Sequence, residues 1–345
     1  MEILINNLNP AQDEKLQSNP KEKSGRSCLF IFLLFVFLLS IFTFLIRDYI
    51  NIIPSLLQIT QKVIPRSQTE NNIKYQYSGK QYINFLLLGS DNDAKFTASN
   101  VLTQTMIIIS INTKNGNINM ISIPRDFWVK INGIGLGKID QASGFGGLAL
   151  ARQTVEEDFG VHIDYYAWVG LSGFIKVIDT FGGINIDVNH PVLDDAYPND
   201  VTGNNPYSTV RLYIPAGAQH LDGFHALEYV RSRHGDLQGD FGRSARQQQI
   251  ILAVKNKMEN ENVVDKIPEL TNELKDSIRT DISLVDITNL APIIAKIRSG
   301  NIHRFILSPP DYASNGLSPD GKQDIVLPDY PKIQLLFNTL FANDN

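Results

Sequence analysis

The chain has 345 residues, a formal net charge of −5 at pH 7, and 43% hydrophobic residues. This length and apolar content allow one large domain or two small ones. The overall acidity argues against general nucleic-acid binding, which favours a basic domain. The single cysteine, Cys28, excludes an internal disulfide.

An uncharged apolar segment lies near the N-terminus. Residues 28–46 contain nineteen consecutive residues without a charge, which is long enough for a helix to span a bilayer. Lys21, Lys23 and Arg26 precede this segment closely, so the positive-inside rule places residues 1–27 in the cytoplasm as a disordered tail. Because the segment has no small-residue cleavage site, we expect a single uncleaved transmembrane helix in the plasma membrane rather than a signal peptide.

The residues after this helix are expected to lie outside the cytoplasm. Residues 47–80 resemble a juxtamembrane spacer, and residues 81–345 have the alternation of a single α/β domain, with a mixed central sheet flanked by helices. Strands are predicted at residues 83–88, 106–111, 118–123, 165–169, 184–188 and 303–307. Helices are predicted at residues 148–159, 174–180, 224–230, 267–277, 284–298 and 332–341. Residues 191–211, rich in Asp, Asn, Pro and Tyr, are predicted to form a long surface excursion.

A cluster of arginines dominates the middle of the chain. Four of them fall within sixteen residues, at Arg231, Arg233, Arg243 and Arg246. Asp240 is predicted to cap the helix that follows it, so that Arg243, Arg246 and Gln247 share one stripe near its N-terminus, where anions are favoured. Guanidinium groups bind phosphate oxygens bidentately. The cluster therefore indicates a local anion site, with a solvated basic face paired to neighbouring acids as the alternative.

Three further polar positions follow strands or lie in adjoining loops, where open α/β sheets bind ligands. Asp91 and Asp93 come after the first strand, Arg125 follows Pro124, and Lys138 lies in a glycine-rich loop. If these positions converge on the arginine cluster, several cations surround one or two hard-cation ligands. That composition fits a diphosphate with Mg²⁺.

Eight short motifs occur in the order and at the spacing of one known family. They cover about residues 80–343 and are Phe85-Leu86-Leu87-Leu88-Gly89-Ser90-Asp91, Thr105-Met106, Ser122-Ile123-Pro124-Arg125-Asp126, Lys138-Ile139, Ile163-Asp164-Tyr165-Tyr166, Val177-Ile178-Asp179-Thr180-Phe181-Gly182-Gly183-Ile184, Tyr229-Val230-Arg231-Ser232-Arg233, and Asp240-Phe241-Gly242-Arg243-Ser244-Ala245-Arg246-Gln247-Gln248. With these motifs in register, the chain resembles the LytR-CpsA-Psr family.

The resemblance implies an extracytoplasmic phosphotransferase of the bacterial envelope. Such a protein moves a glycopolymer from an undecaprenyl diphosphate carrier to a peptidoglycan sugar hydroxyl, with Mg²⁺ assistance. Residues matching the diphosphate-binding positions are Arg125, Lys138, Arg231, Arg233, Arg243, Arg246 and Gln247. Asp91 matches a magnesium ligand, and Asp91 or Asp93 is expected to assist deprotonation of the acceptor hydroxyl, with Arg125 stabilising the developing charge. The family's lipid lies in an apolar tunnel between sheet and helices, which the pattern alone does not locate.

One position departs from the family's pattern. Gln104 stands where the family usually carries an aspartate that binds the metal together with Asp91, and we expect weaker metal binding because hard-cation sites depend on ligand charge. Two other functions therefore stay open: a non-catalytic polyprenyl-phosphate-binding regulator of envelope assembly, and a polyprenyl diphosphate hydrolase.

Overall fold

The computed structural model describes residues 81–90, 102–201, 208–233, 239–260, 278–282, 286, 290 and 302–341. Predictions for the cytoplasmic tail, the apolar segment at 28–46, the spacer and the helix at 267–277 fall outside these residues, as does nearly all of the helix at 284–298. Among the described residues, no helix is long and apolar enough to cross a membrane.

A six-stranded mixed sheet forms the centre of the domain, as predicted. Its strand order is β11-β6-β1-β2-β3-β12, with β1 parallel to β6, β3 parallel to β12, and the other neighbours antiparallel. The strands are β1 (Tyr82–Ser90), β2 (Thr103–Asn112), β3 (Ile118–Ser122), β6 (Tyr165–Val169), β11 (Ile278–Thr280) and β12 (Ile302–Ile306). The turn between β2 and β3 contains Gly116 at a φ of 75°, which glycine adopts without steric cost.

Four two-stranded units surround this sheet. They pair β4 (Trp128–Ile131) with β5 (Gly135–Lys138), β7 (Ile184–Val188) with β10 (Gly217–Leu221), β8 (Val192–Pro198) with β9 (Thr209–Ile214), and β13 (Ala313–Leu317) with β14 (Asp324–Pro328). Two predictions are corrected here. The glycine-rich loop at Lys138 is a β-hairpin, and the surface excursion at 191–211 belongs to the β8–β9 hairpin. Strand β8 buries Val192, Asp194 and Tyr197. The period of two from Val192 to Asp194 is interrupted by a register shift between Asp194 and Tyr197, so the polar composition of the strand conceals its buried positions.

Five helices pack on the sheet and the hairpins. They are α1 (Ala142–Phe159), α2 (Leu171–Thr180), α3 (Gly223–Arg231), α4 (Gly239–Asn260) and α5 (Tyr330–Phe341). Helices α1 and α5 cover one face of the sheet through Val155, Phe159 and Phe337, which are buried with Leu86 and Ile108. Helices α2, α3 and α4 form a second core with β7, β8, β9 and β10.

Helix α3 begins with a side-chain cap. The carboxylate of Asp222 accepts a hydrogen bond from the backbone N–H of His225 at 2.8 Å. Gly223 follows, and its N–H donates to the carboxylate of Asp179 on α2 at 2.7 Å. A Cβ at this position would lie 2.3 Å from the carbonyl oxygen of Ile175. Only glycine therefore permits α2 and α3 to approach this closely.

Candidate anion and lipid site

A cavity of about 390 Å³ lies between the central sheet and helices α2, α3 and α4. Its interior is apolar. The strands contribute Leu87, Ile107 and Val169, and the helices contribute Phe174, Leu227 and Ile250 among others. A volume of this size with a predominantly apolar wall is typical of a small-molecule binding site.

Cations and polar groups line another part of the same cavity. Four of the predicted diphosphate-binding arginines line it, together with the predicted glutamine: Arg125, Arg231, Arg233, Arg243 and Gln247. The sequence segments that supply them are distant in the chain, and the fold brings them to one wall. The four arginines therefore line one cavity, and their binding of a diphosphate stays a prediction.

Helix α4 presents one stripe of residues to this cavity. Arg243, Gln247, Ile250 and Val254 all line it, at intervals of four, three and four residues, which places them on one helical face. The stripe is cationic near the N-terminus of α4 and apolar further along. Its polar end is fixed to the sheet, since the Gln247 amide donates to the hydroxyl of Thr105 at 2.8 Å.

Asp240 has a different role from the one the sequence predicts. It lies inside the first turn of α4, which begins at Gly239. Its carboxylate lies 2.7 Å from Nε of Arg233 and 3.5 Å from both Nε of Arg125 and a terminal nitrogen of Arg243. Burial would raise the pKa of Asp240, but Arg243, Arg233 and Arg125 outweigh it and hold that pKa below its usual range. A single carboxylate thus offsets repulsion among three guanidinium groups.

Arg243 is the most enclosed cation of the cluster that lines the cavity. Its side chain is 8% exposed, and burial lowers its pKa to about 10. Within the described residues, Nε of Arg243 has no hydrogen-bond partner. Since buried donors are normally paired, this cation is suited to an anion that enters the cavity.

Arg231 and Arg233 are held by two acids that the sequence analysis did not single out. Both terminal nitrogens of Arg231 donate to the carboxylate of Asp200 at 2.9 Å. Asp194, which is 1% exposed, accepts from the hydroxyl of Ser232 at 3.0 Å and from the N–H of Arg233 at 2.9 Å. Both acids line the cavity. They come from the segment predicted as a surface excursion, and the sequence signal that could have found Asp194 is the alternation of β8.

Arg246 and Lys138 line neither this cavity nor the small one described below. Nε of Arg246 donates to the carbonyl of Tyr229 at 2.7 Å, and a terminal nitrogen donates to the carbonyl of Ser232. These carbonyls lie at the C-terminal end of α3, where helices leave acceptors without intrahelical partners. Nζ of Lys138 donates to Asp126 at 2.6 Å. Both cations hold neighbouring groups in place.

A second, smaller cavity of about 160 Å³ adjoins the first. The two share five residues, which we call the shared wall: Gln104, Thr105, Arg125, Arg243 and Gln247. The small cavity has its own carboxylates, Asp126 and Asp240, and Asn315 at its rim. Guanidinium groups therefore lie between an apolar cavity and one whose lining also holds carboxylates.

The predicted magnesium ligands fall only partly within the described residues. Gln104 accepts a hydrogen bond from a terminal nitrogen of Arg125, so its oxygen faces a cation. No group of three or more His, Cys, Asp or Glu side chains in the described part of the chain is arranged to hold a metal ion. Asp91 and Asp93, the predicted metal ligand and base, lie outside the described residues.

Fold and site together define a class of α/β proteins with an apolar cavity between sheet and helices and an arginine-lined wall. Comparison with known proteins identifies the family within this class. The family model described as "LytR_cpsA_psr family" matches residues 49–323. The chain belongs to the LytR-CpsA-Psr family, as the motifs indicated.

Individual relatives agree with this assignment. A protein of Oceanobacillus iheyensis named polyisoprenyl-teichoic acid--peptidoglycan teichoic acid transferase TagU is 33% identical over 237 residues, 67% of this chain and 68% of its own length. Bacillus subtilis TagV bears the corresponding name and is 32% identical over 61% of this chain and 52% of its own length. The crystal structure of B. subtilis TagV matches with a TM-score of 0.61 and 28% sequence identity. This match covers 76% of this chain and 96% of the TagV chain.

Proposed function

We propose that this protein transfers a glycopolymer from a polyprenyl diphosphate carrier to a sugar hydroxyl of the cell wall. The acceptor in this proposal is peptidoglycan. The observation that carries the proposal is the composition of the large cavity, apolar between sheet and helices and cationic at Arg125, Arg231, Arg233 and Arg243. A polyprenyl diphosphate has the same division into a hydrocarbon chain and a dianionic head. The names of the TagU and TagV relatives as teichoic acid transferases support the same reaction class.

The reaction needs charge stabilisation more than covalent chemistry. The acceptor oxygen attacks the phosphorus that carries the glycopolymer, and a new O–P bond forms. The bond from that phosphorus to the bridging oxygen breaks, its electron pair stays on the departing polyprenyl phosphate, and the hydroxyl proton passes to Asp91 or Asp93. Arg125 and Arg243 stabilise the negative charge that grows on the phosphoryl oxygens during this step.

Mg²⁺ belongs to the proposal as a cofactor that depends on Asp91. Gln104 is bound to Arg125, and the ion, when bound, would neutralise charge on the diphosphate oxygens. The membrane location is likewise proposed: residues 28–46 anchor the protein, and the domain lies outside the cytoplasm. This places the cavity on the side of the membrane where the peptidoglycan acceptor is found.

The test is transfer in a purified system. The full chain in detergent is incubated with a glycan-labelled polyprenyl diphosphate donor and peptidoglycan, and covalently attached label is measured. We expect attachment by the wild type and none by Arg125→Ala, with both proteins folded. Label released only to water would indicate the hydrolase, and wild-type turnover by Arg125→Ala would refute the assigned role of this residue.

One observation favours a second candidate, the non-catalytic regulator. The pairing of Gln104 with Arg125 supplies a neutral oxygen where a metal-binding carboxylate is expected. A regulator would bind the polyprenyl diphosphate without Mg²⁺ and give neither transferred nor released label. The same assay, run beside a donor-binding measurement, separates the two candidates.

A further inference from the structure

The small cavity adjoins the large cavity at the shared wall and differs from it in part of its lining. Asp126, Asp240, Ser244 and Asn315 line it, and none of these four lines the large cavity. Their carboxylate, hydroxyl and amide groups offer hydrogen-bond acceptors and donors. These polar groups suit the hydroxyl groups of a sugar. The rest of the lining that the small cavity does not share is apolar, from Met106, Ile123, Pro124, Phe241 and Val326.

We propose that the small cavity is the acceptor subsite, which binds a hydroxyl-bearing part of one cell-wall sugar. This inference rests on the proposed transferase function. In phosphoryl transfer, the attacking and leaving oxygens lie roughly in line on opposite sides of the phosphorus. If the polyprenyl phosphate leaves into the large cavity, the acceptor must approach the phosphorus from another space. The small cavity shares Arg125 and Arg243 with the large one and has a lining of its own, so it offers such an approach.

The size and the charges of the small cavity restrict the ligand that it can bind. At about 160 Å³, it is below the roughly 300 Å³ at which sites for whole small molecules begin, so part of one sugar residue enters and the rest of the glycan stays outside. Asp126 lies at this side of Arg125, 3.3 Å from its Nε, and is held by Lys138. It is placed to accept a hydrogen bond from the acceptor hydroxyl and thereby orient it, while the proton itself passes to the base named above.

The β13–β14 hairpin forms the outer side of this subsite. The N–H of Val326 donates to the carbonyl of Asp126 at 2.9 Å, which fixes the hairpin to the segment carrying Arg125. Asn315 stands directly opposite Val326 in the hairpin register and lines the cavity with it. Asn315 is exposed, so a larger side chain there is accommodated without disturbing the core. We therefore assign Asn315 as a residue that determines acceptor binding.

The hairpin supplies a matched control. Ser314 is the preceding residue, is exposed as well, and does not line the cavity; successive side chains of a strand point to opposite faces. Asn315→Trp should obstruct the subsite, and Ser314→Trp should add the same bulk to the other face of the hairpin.

The experiment measures transfer by the full chain in detergent, with a glycan-labelled polyprenyl diphosphate donor and soluble uncrosslinked peptidoglycan oligomers as the acceptor probe. For Asn315→Trp we expect the acceptor KM to rise by about 10-fold, the loss of one or two hydrogen bonds, while donor KM and donor binding stay at the wild-type values. Ser314→Trp should match the wild type in every quantity.

Three results would overturn the inference while leaving the transferase function intact. They are an unchanged acceptor KM in Asn315→Trp, an equal rise of the donor KM in that variant, and an equal effect in Ser314→Trp. Failure of the proposed function is distinct, because the wild type itself would then attach no label to peptidoglycan. Melting temperature and donor binding verify that Asn315→Trp is folded, and loss of donor binding in the folded variant counts against the subsite.

Discussion

Arg243 and Arg246 lie three residues apart on α4 and are equally buried, at 6% and 7% exposed, yet the structure gives them different tasks. Arg243 lines both cavities, whereas Arg246 bonds the carbonyls of Tyr229 and Ser232. Replacing each with methionine removes the charge and keeps a long side chain. We expect Arg243→Met to lose activity and Arg246→Met to lose stability.

The loss of rate follows from the state of the Arg243 guanidinium. With a pKa of about 10, the group is protonated at pH 7.5 in about 300 molecules for each deprotonated one, so the enzyme works with the full cation. Removing one preorganised donor of this kind reduces kcat by about 10²–10³-fold, or about 2.7–4 kcal/mol. Asp240 keeps Arg233 at 2.7 Å and Arg125 at 3.5 Å, so its charge stays paired and the melting temperature should change little.

The loss of stability follows from the two carbonyls of Arg246. Leaving buried acceptors without a partner costs about 1–3 kcal/mol each, and in a domain of this size each kcal/mol lowers Tm by roughly 2–4 °C. Below its own Tm, Arg246→Met should keep measurable transfer, with a raised donor KM because Arg231 and Arg233 flank the loosened segment.

Initial rates and thermal melts of the two variants distinguish a role in activity from a role in stability. The transfer assay is run well below the lower Tm. The reasoning is refuted if Arg243→Met retains wild-type turnover, or if both variants lose rate and Tm to the same extent. Either result would mean that the two arginines share one role and that the division between cavity and helix end has no functional meaning.

Four further substitutions test separate parts of the structure. Ile250→Asp places a charge in the apolar part of the large cavity and should abolish binding of long-chain polyprenyl diphosphate while a soluble short-chain diphosphate still binds, which competition binding measures. Asp194→Asn weakens the hold on the Ser232–Arg233 backbone and should raise donor KM more than it lowers kcat; an unchanged KM would contradict that role. Gln104→Asp should lower the Mg²⁺ concentration that gives half-maximal rate, and an unchanged metal titration would show that this position does not contact the ion. Burial raises the pKa of Asp158 to about 6, so its protonated form favours the folded state: this contribution is fully present below its unfolded pKa and is lost as pH rises through about 6. Asp158→Asn should therefore raise Tm at pH 8 relative to the wild type and not at a pH below 3.8, the ordinary pKa of this carboxyl, as thermal melts across that range will show.

Strands with continuous or alternating apolar patterns could be predicted closely from the sequence. Strands β6 and β7 have the predicted bounds at Tyr165–Val169 and Ile184–Val188, because the apolar residues of a buried strand are a local signal. The hairpins β4–β5, β8–β9 and β13–β14 were not predicted. Their sequences combine polar residues and glycines with exposed apolar residues such as Leu136, Tyr213 and Leu327. Their pairing depends on the surface against which they pack, which the sequence of a single segment does not reveal.

The same distinction separates the parts of the site. Density of arginine and the order of the motifs are local properties, and they identified Arg125, Arg231, Arg233 and Arg243, which share a cavity. The partners of those arginines are set by tertiary contacts. Asp200 pairs with a residue 31 positions away and Asp194 with residues 38 and 39 positions away. Sequence alone could not show that Arg246 bonds the end of α3, since the helical stripe places it beside Arg243 and Gln247.

The distribution of acids explains how an acidic protein maintains a concentrated anion site. Each arginine of the large cavity approaches a carboxylate, but Asp240 is shared by three of them, so the cluster keeps an excess of positive charge. Sharing keeps the guanidinium groups fixed while leaving part of their charge uncompensated, and in a partly desolvated site that remainder attracts an anion more strongly than it would in water. A bound diphosphate would complete the charge balance that Asp240 begins. The site is thus preorganised for the charge that increases during transfer, which is the condition for stabilising a transition state without reorganisation.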